Sequence, residues 1–359
     1  MTETQTDLAS TLVQARADYD ALRLDESLAG YEAALAAAPD SYDATLGLSR
    51  VLSRMRRQAE ALAAAERCIA LDHQRPEGYC ARGQLRFLVD DLDEARDDLL
   101  RALELAPDDP EARLSLAQVY ADQSRFDEAE AELARAREAI AALEGEGARN
   151  RLLGTAWHAQ AYLLLARNKN AEAVEAAQEA IALEAANPHA ACLAYSNIGI
   201  LEARSRRYDS AIDYLEHAYT MNRYFHRAGS ALGRLLILRN HPQRAAEVLE
   251  QVLETMPEEN GSTRYAYAMA LARSGRRAQA LGEYRAALSK GLSTPDALLA
   301  RWQTVWLSEV GRYAVIGVIL AAVLAYVVLA KPSPQTMTFL AILALILVLQ
   351  RTMGRRRRS

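Results

Sequence analysis

Cysteine, lysine and aromatic residues are all scarce in this 359-residue chain. Cysteine occurs three times, at Cys68, Cys80 and Cys192. An odd number at scattered positions builds no disulfide framework and points to a reducing compartment. Metal ligation needs converging Cys, His or carboxylate groups, and the six histidines are spread along the chain with no close pair among them, so neither a metal nor another cofactor is expected. Aromatics make up 6% of the residues, and no stretch alternates apolar with polar side chains as a half-buried strand does. Lysine appears only at Lys169, Lys290 and Lys331, so arginine carries nearly all the positive charge, a compositional hint of a GC-rich bacterial genome. Also missing are G-x-x-x-x-G-K-[ST], G-x-S-x-G, H-E-x-x-H and a nucleotide-binding glycine fingerprint. No enzymatic activity is expected.

What the chain does contain is a 34-residue echo. Copies start at Leu8, Tyr42, Pro76, Pro110, Gly154, Cys192, His226 and Gly261. The eighth residue of each is Ala15, Ser49, Gly83, Ala117, Ala161, Gly199, Gly233 or Ala268, all small. The twentieth is Ser27 or alanine, and the twenty-seventh is Ala, Cys68 or Val252. One helical turn beyond the twentieth place stand larger side chains such as Tyr31, Leu99, Leu215, Leu249 and Tyr284. Helix axes approach closely only where the intervening side chains are short, so each copy reads as two helices crossing at the small columns. One such pair cannot bury its own apolar face and must stack on its neighbours.

The period and columns resemble the tetratricopeptide repeat family, with Trp157 at the leading aromatic place, Tyr195, Ile198 and Gly199 in a first helix, Tyr120 at the tyrosine place, and Pro39, Pro107 and Pro257 at the terminal proline. The resemblance covers about residues 8 to 294. It implies an all-α, right-handed superhelical solenoid of about eight helical hairpins that binds a protein or peptide. The 35-residue pentatricopeptide type, which reads RNA, fits less well: the period is 34 and the array carries a net charge near −12, so no nucleic-acid partner is expected.

Repeats one to four span 8–143, an insertion occupies 144–153 (EGEGARNRLL), and repeats five to eight span 154–294. Gly145 and Gly147 weaken helix in the insertion, which is read as a linker or a longer hairpin within one continuous, bent superhelix. Residues 295–311 follow as a capping or juxtamembrane helix whose stripe of Leu298, Trp302, Val305 and Trp306 is expected to cover the last repeat, with interfacial anchoring as the alternative.

Residues 312–350 are expected to form a transmembrane hairpin, with one span at 313–330 and a shorter one at 336–350. Gly317, Ala321 and Ala325 on the first segment, with Ala341 and Ala344 on the second, would allow close helix contact in lipid. The tail 351–359 carries Arg351, Arg355, Arg356, Arg357 and Arg358, a positive-inside signal, and the N-terminus shows no secretory pattern. Array and C-terminus are therefore expected in the cytoplasm, tethered to a bacterial inner membrane.

By the resemblance, the second, fifth, ninth, twelfth and thirteenth residues of each copy line the concave groove. This places Leu12, Arg16, Tyr19, Leu46, Arg50 and Arg54 in an N-terminal strip, with Arg234 and Arg273 further along. Guanidinium forks beside apolar side chains suit an acidic, apolar peptide, unless Arg50 and Arg54 pair with Asp43 or Glu77. The Lys and Asn clamp by which some family members hold a chaperone's acidic C-terminus is absent. The function expected is a membrane-anchored adaptor that recruits a protein or peptide partner; the alternatives are a scaffold of self-associating copies, hence a homo-oligomer, and a ligand sensor signalling through the hairpin.

Overall fold

A computed structural model describes residues 3–256 and 261–308, and beyond them residues 311, 313, 314, 317, 318, 321, 322, 325 and 326. Among the described residues there are seventeen α-helices and no strand. They run in pairs: α1 (Glu3–Asp20) with α2 (Leu24–Ala37), α3 (Tyr42–Arg54) with α4 (Gln58–Leu71), α5 (Pro76–Leu88) with α6 (Leu92–Leu105), and α7 (Pro110–Asp122) with α8 (Phe126–Ala141). Then come α9 (Glu146–Ala166) with α10 (Asn170–Ala182), α11 (Pro188–Arg204) with α12 (Tyr208–Met221), and α13 (His226–Leu238) with α14 (Pro242–Thr255). The last are α15 (Gly261–Arg273), α16 (Arg277–Ser289) and α17 (Thr294–Leu307). The chain forms two compact units, Met1–Glu258 and Glu259–Ser359.

In the first unit each helix packs on the next, and the first helices of neighbouring copies also touch: α1 on α3, α3 on α5, α5 on α7, α7 on α9, α9 on α11 and α11 on α13. No comparable contact joins successive second helices among the described residues. The first helices therefore form the inner wall of a curved array and the second helices its outer wall.

The small columns set the spacing. A Cβ built on Gly233 would lie 2.4 Å from Leu249 Cγ, on Gly199 2.7 Å from Leu215 Cγ, and on Gly83 2.8 Å from Leu99 Cγ. In each case the eighth place sits under the apolar residue one turn beyond the twentieth, and that residue is fully buried. Where the column holds serine, the hydroxyl uses the same proximity: Ser49 Oγ donates to the Ala61 carbonyl at 2.9 Å and Ser27 Oγ to the Ala15 carbonyl at 2.8 Å. Both hydroxyls are buried with their bonds made, so neither carries a desolvation cost without compensation.

Each first helix ends in the same way. The fifteenth residue of every copy takes positive φ: Leu22, Arg56, Asp90, Ser124, Asn168, Arg206 and Asn240 lie between 59° and 67°, and Gly275 at 85°. The following N–H turns back onto the helix, as with Arg57 N to Leu52 O at 2.9 Å and Asp91 N to Arg86 O at 3.0 Å, which is the Schellman arrangement. Glycine would take this conformation most easily, yet seven of the eight residues are not glycine. The stacked neighbours over-determine the turn and hold the left-handed residue there.

The insertion is not a linker. Gly145, at φ 98°, precedes α9, which begins at Glu146 and continues through the rest of residues 144–153. Leu152 and Leu153 pack on the cluster containing Ile140, Ala136 and Leu133, so apolar burial draws the segment into helix despite Gly147. Copy six starts 38 residues after copy five, four more than the period, and the extra residues are likewise the first turn of α11, which Asn187 caps by accepting from Ala190 N at 3.0 Å. The Asn187 amide also donates to Arg151 O at 2.7 Å, tying that turn to the lengthened α9.

In the second unit α15 and α16 form one more helical pair, and α17 packs on α16. The cap uses the face opposite to the one expected. Leu298, Trp302, Val305 and Trp306 are 60%, 51%, 41% and 40% exposed, while Ala300 is buried. Small and polar residues, not the apolar stripe, allow the close approach to α16.

No helix among the described residues is long and apolar enough to cross a membrane. The segment 336–350 with Ala341 and Ala344, and the tail with Arg351, Arg355, Arg356, Arg357 and Arg358, lie outside the described residues, as does part of 313–330. Gly317, Ala321 and Ala325 belong to helical, exposed positions.

Gly233→Ala is expected to destabilise the first unit by about 1–3 kcal/mol, because buried Leu249 has no room to retreat. Gly282, exposed within α16 with nothing within 4 Å of its added Cβ, is expected to gain roughly 0.5–1 kcal/mol on mutation to alanine. Denaturant unfolding of both variants checks the pair of signs.

Candidate functional site

The inner wall of the first unit brings the groove positions of copies one to seven around a common interior. The first contact is an ion pair from copy two to copy four, between the Arg50 guanidinium and the Glu111 carboxylate at 3.2 Å. Arg50 holds the Glu111 carboxyl below its ordinary value, and Glu111 raises the guanidinium in turn. Gln84 donates to Ser115 Oγ at 2.9 Å, and Gln118 meets His158 Nδ1 at 3.3 Å. The ninth-place side chains thus lace together first helices one or two copies apart.

The expected N-terminal strip is largely engaged within the chain. Asp43 and Glu77 do not pair with Arg50 or Arg54; both are held by Arg75, at 3.0 and 3.1 Å. Leu46 is core, 7% exposed, and offers no groove surface. Leu12 and Tyr19 pack against the cluster around Tyr31 and Met55. The Arg54 guanidinium lies 3.5 Å over the Tyr19 ring and donates to the Tyr19 carbonyl at 2.7 Å, with no carboxylate in ion-pair reach among the described residues. Arg16 and Arg234 are exposed. Arg273 belongs to the second unit, near Tyr284, whose phenol burial and Tyr265 push up and Arg273 only partly offsets.

The interior is closed by contacts that no sequence spacing announces. Tyr224 Oη donates to Asp25 at 2.5 Å and the Arg223 guanidinium to the other oxygen at 2.9 Å, joining the turn before copy seven to the first copy. Tyr224 is buried among Ala15, Leu24, Tyr31, Val51 and Met55. Arg151 approaches Asp20 to 3.8 Å from the start of α9. The helical pairs therefore curl until the turn between α12 and α13 meets the first pair.

An open cavity of about 270 Å³ remains on this inner wall. Its lining comes from α7, α9, α11 and α13: Asp122, Tyr162, Leu165, Ala166, Asn197, Ile200, Leu201, Arg204 and Arg227. Tyr162 donates to both oxygens of Asp122, at 2.7 and 2.9 Å, so that carboxylate is already bound. Burial nevertheless raises the Asp122 carboxyl, with the charge of Asp90 adding to the effect. Arg204 and Arg227 have no carboxylate in ion-pair reach among the described residues. Arg204 and Arg227 are both exposed at the cavity mouth. Partial loss of hydration still lowers the Arg227 guanidinium, Tyr162 opposing and Arg204 adding to the effect; Arg56, nearby, is lowered by desolvation and then by Arg227. Two guanidinium groups without an ion-pair partner beside Leu165, Ile200 and Leu201, with the lining's one carboxylate, Asp122, already held by Tyr162, form a place for an anionic group carried on an apolar body. Tyr162 and Arg204 stand at groove places in the repeat; Arg227 occupies the second place of copy seven, and its significance lies in its neighbours across copies. Among the described residues no group of His, Cys, Asp and Glu converges as a metal site.

Buried imidazoles make the array sensitive to acid. Burial lowers His158 from 6.5 to about 4 and His226 to about 4, and pushes His189 well down with help from Arg54. The unfolded chain protonates these rings below about pH 6.5, whereas in the folded chain His158 and His226 resist to about pH 4. Stability is thus complete above pH 6.5 and falls as the pH drops through that window, by roughly 3 kcal/mol for His158 alone. The thermal midpoint of the full chain is expected to drop between about pH 7 and pH 5, and His158→Gln to flatten that slope. An unchanged slope in the variant would contradict the assignment.

Two family models, both described as tetratricopeptide repeat, match the chain, one at 12–76 and 230–297 and the other at 88–146, together just over half of its length. Similar solved structures include the APC/C hetero-tetramer Cut9–Hcn1 (17% identity, 83% of this chain and 55% of that one, TM-score 0.53). Yeast Tom70 (17% identity, 70% and 50%, TM-score 0.49) and PilF of Pseudomonas aeruginosa (17% identity, 58% and 88%, TM-score 0.45) are others. The chain spans about half the length of the first two. No curated protein sequence matches it. The 34-residue columns, the paired helices laid side by side and the two family models agree, and the chain belongs to the tetratricopeptide repeat family.

Proposed function

We propose that the chain is a protein-interaction adaptor that takes an acidic, apolar segment of a partner protein into the cavity between α7, α9, α11 and α13. Tetratricopeptide repeats generally mediate protein–protein contact, which agrees with an adaptor role. The observation that carries the finer reading is the pair Arg204 and Arg227, without carboxylate partners, beside the wall of Leu165, Ile200 and Leu201. The N-terminal strip is the weaker candidate, since Glu111 already neutralises Arg50 and Tyr19 already covers Arg54. Against a net charge near −12 over the array, this local excess of guanidinium would select an acidic segment by position and not by overall attraction.

The apolar segments 313–330 and 336–350, with arginines at 351 and 355–358, support a tether that holds the adaptor at the cytoplasmic face of a bacterial inner membrane. Recruitment of the partner to that face is the biological role this implies.

Fluorescent peptides with one carboxylate flanked by leucines, and matched lysine versions, test the reading against the full chain in detergent. The acidic series is expected to bind and to weaken with salt. Each of Arg204→Gln and Arg227→Gln should cost about ten- to a hundredfold, the range for a hydrogen bond to a charged group, while Arg16→Gln should not change binding. Equal binding of acidic and basic peptides, or indifference to both cavity variants, would sink the proposal.

A further inference from the structure

α17 is a two-faced helix whose apolar side is turned away from the repeats. Leu298, Trp302, Val305 and Trp306 recur at helical spacing, Leu299 flanks them, and all five are exposed. The two indoles stack on each other, with centroids 6.3 Å apart and planes at 19°. Round the helix from Leu298, buried Ala300 faces α16 together with the partly buried Gln303, Thr304 and Leu307. Ser293 caps the N-terminus by accepting from Asp296 N, so the helix is fixed at its start and packed along one side. A helix built only to close the last repeat would bury its large apolar side chains and expose its polar ones. α17 does the reverse.

What lies next in the chain identifies the occupant of that face. Six residues after α17 begins the run Tyr313–Ala330, eighteen residues without a charge. Its described residues are helical and exposed, with Val318 at 69% and Tyr326 at 49%. From Ala297 to Ser308 the only charged residue is Arg301, exposed and one turn from Leu298 and Val305. An apolar stripe with paired indoles, one flanking guanidinium and its only carboxylate, Asp296, confined to the capping turn has the composition of a helix lying in the headgroup layer, where indole rings sit at the water boundary and arginine reaches anionic phosphate. We infer that α17 lies in the plane of a lipid surface, with Leu298, Trp302, Val305 and Trp306 in the acyl boundary and Arg301 at an anionic headgroup. Its other face holds α16, so the lipid surface becomes the platform on which repeat eight stands.

This inference rests on the membrane tether proposed above, and one experiment separates the two. The full chain carrying Trp157→Phe, in which Trp302 and Trp306 are the remaining indoles, is reconstituted into phosphatidylcholine and phosphatidylglycerol vesicles with bromines either near the headgroup end or near the methyl end of the acyl chains. Flotation reports the tether; tryptophan emission reports α17. Flotation with emission strongly quenched by the shallow bromines and little by the deep ones is the expected result. Flotation without quenching by either would overturn the inference alone and show that a second copy or a partner protein covers the face. Stronger quenching by the deep bromines would also overturn it, by placing the indoles within a span. Failure to float would overturn tether and inference together. Trp302→Ala with Trp306→Ala in a chain that keeps Trp157, at exposed positions where folding is not at stake, should retain flotation and leave the remaining Trp157 emission unquenched by either bromine; shallow quenching of Trp157 would overturn the assignment of the signal to α17.

Discussion

Close approach of two helices at a column of small side chains is the constraint on which everything else in this chain depends. Gly233 under Leu249, Gly199 under Leu215 and Ser49 bonded to the Ala61 carbonyl are three chemical versions of one contact. A bulkier side chain at any of them would push a pair apart and pass the displacement to the next, because each pair buries its remaining apolar face on its neighbour. The left-handed residue after every first helix keeps the crossing in register by fixing where the second helix starts.

Curvature follows from the unequal walls. The first helices meet one another while the second helices do not to the same extent, and over seven pairs the array turns until Tyr224 enters the core beside Tyr31 and bonds Asp25. That closure converts groove side chains into interior ones. Arg50 and Glu111, His158 and Gln118, and Tyr162 and Asp122 become internal pairs. Arg204 and Arg227 are left facing a cavity whose one carboxylate, Asp122, is already taken by Tyr162. Burial that stabilises the array thus also singles out where its chemistry is unfinished, and the imidazoles it desolvates make the same interior weaken in acid.

Much of the fold was legible in the sequence because the determinant is local and periodic. Ala15, Ser49, Gly83 and their counterparts recur every 34 residues, and their size alone says that helices cross there. The site was less legible because its contacts are not periodic. Glu111 lies 61 residues from Arg50, and Asp25 lies 199 from Tyr224, distances that depend on how tightly the array coils. The insertion left two readings open for a different reason: two glycines spoke for a linker, while Leu152 and Leu153 had a cluster to join, and the longer hairpin is what forms. In α17 the apolar stripe was visible and its direction was not, since spacing shows which residues share a face and not which neighbour that face meets.

The tight coil is most directly tested by the distance between its ends in solution. Spin labels at two exposed positions, Glu26 on α2 and Thr220 near the end of α12, in a chain whose buried Cys68, Cys80 and Cys192 are replaced by alanine, report it by pulsed dipolar spectroscopy. A short and narrow distance distribution is predicted, since the neighbouring Asp25 and Tyr224 are hydrogen-bonded. A long or broad distribution would mean that the array is open, that the interior pairs do not form together, and that the cavity lined by Arg204 and Arg227 is not a defined site.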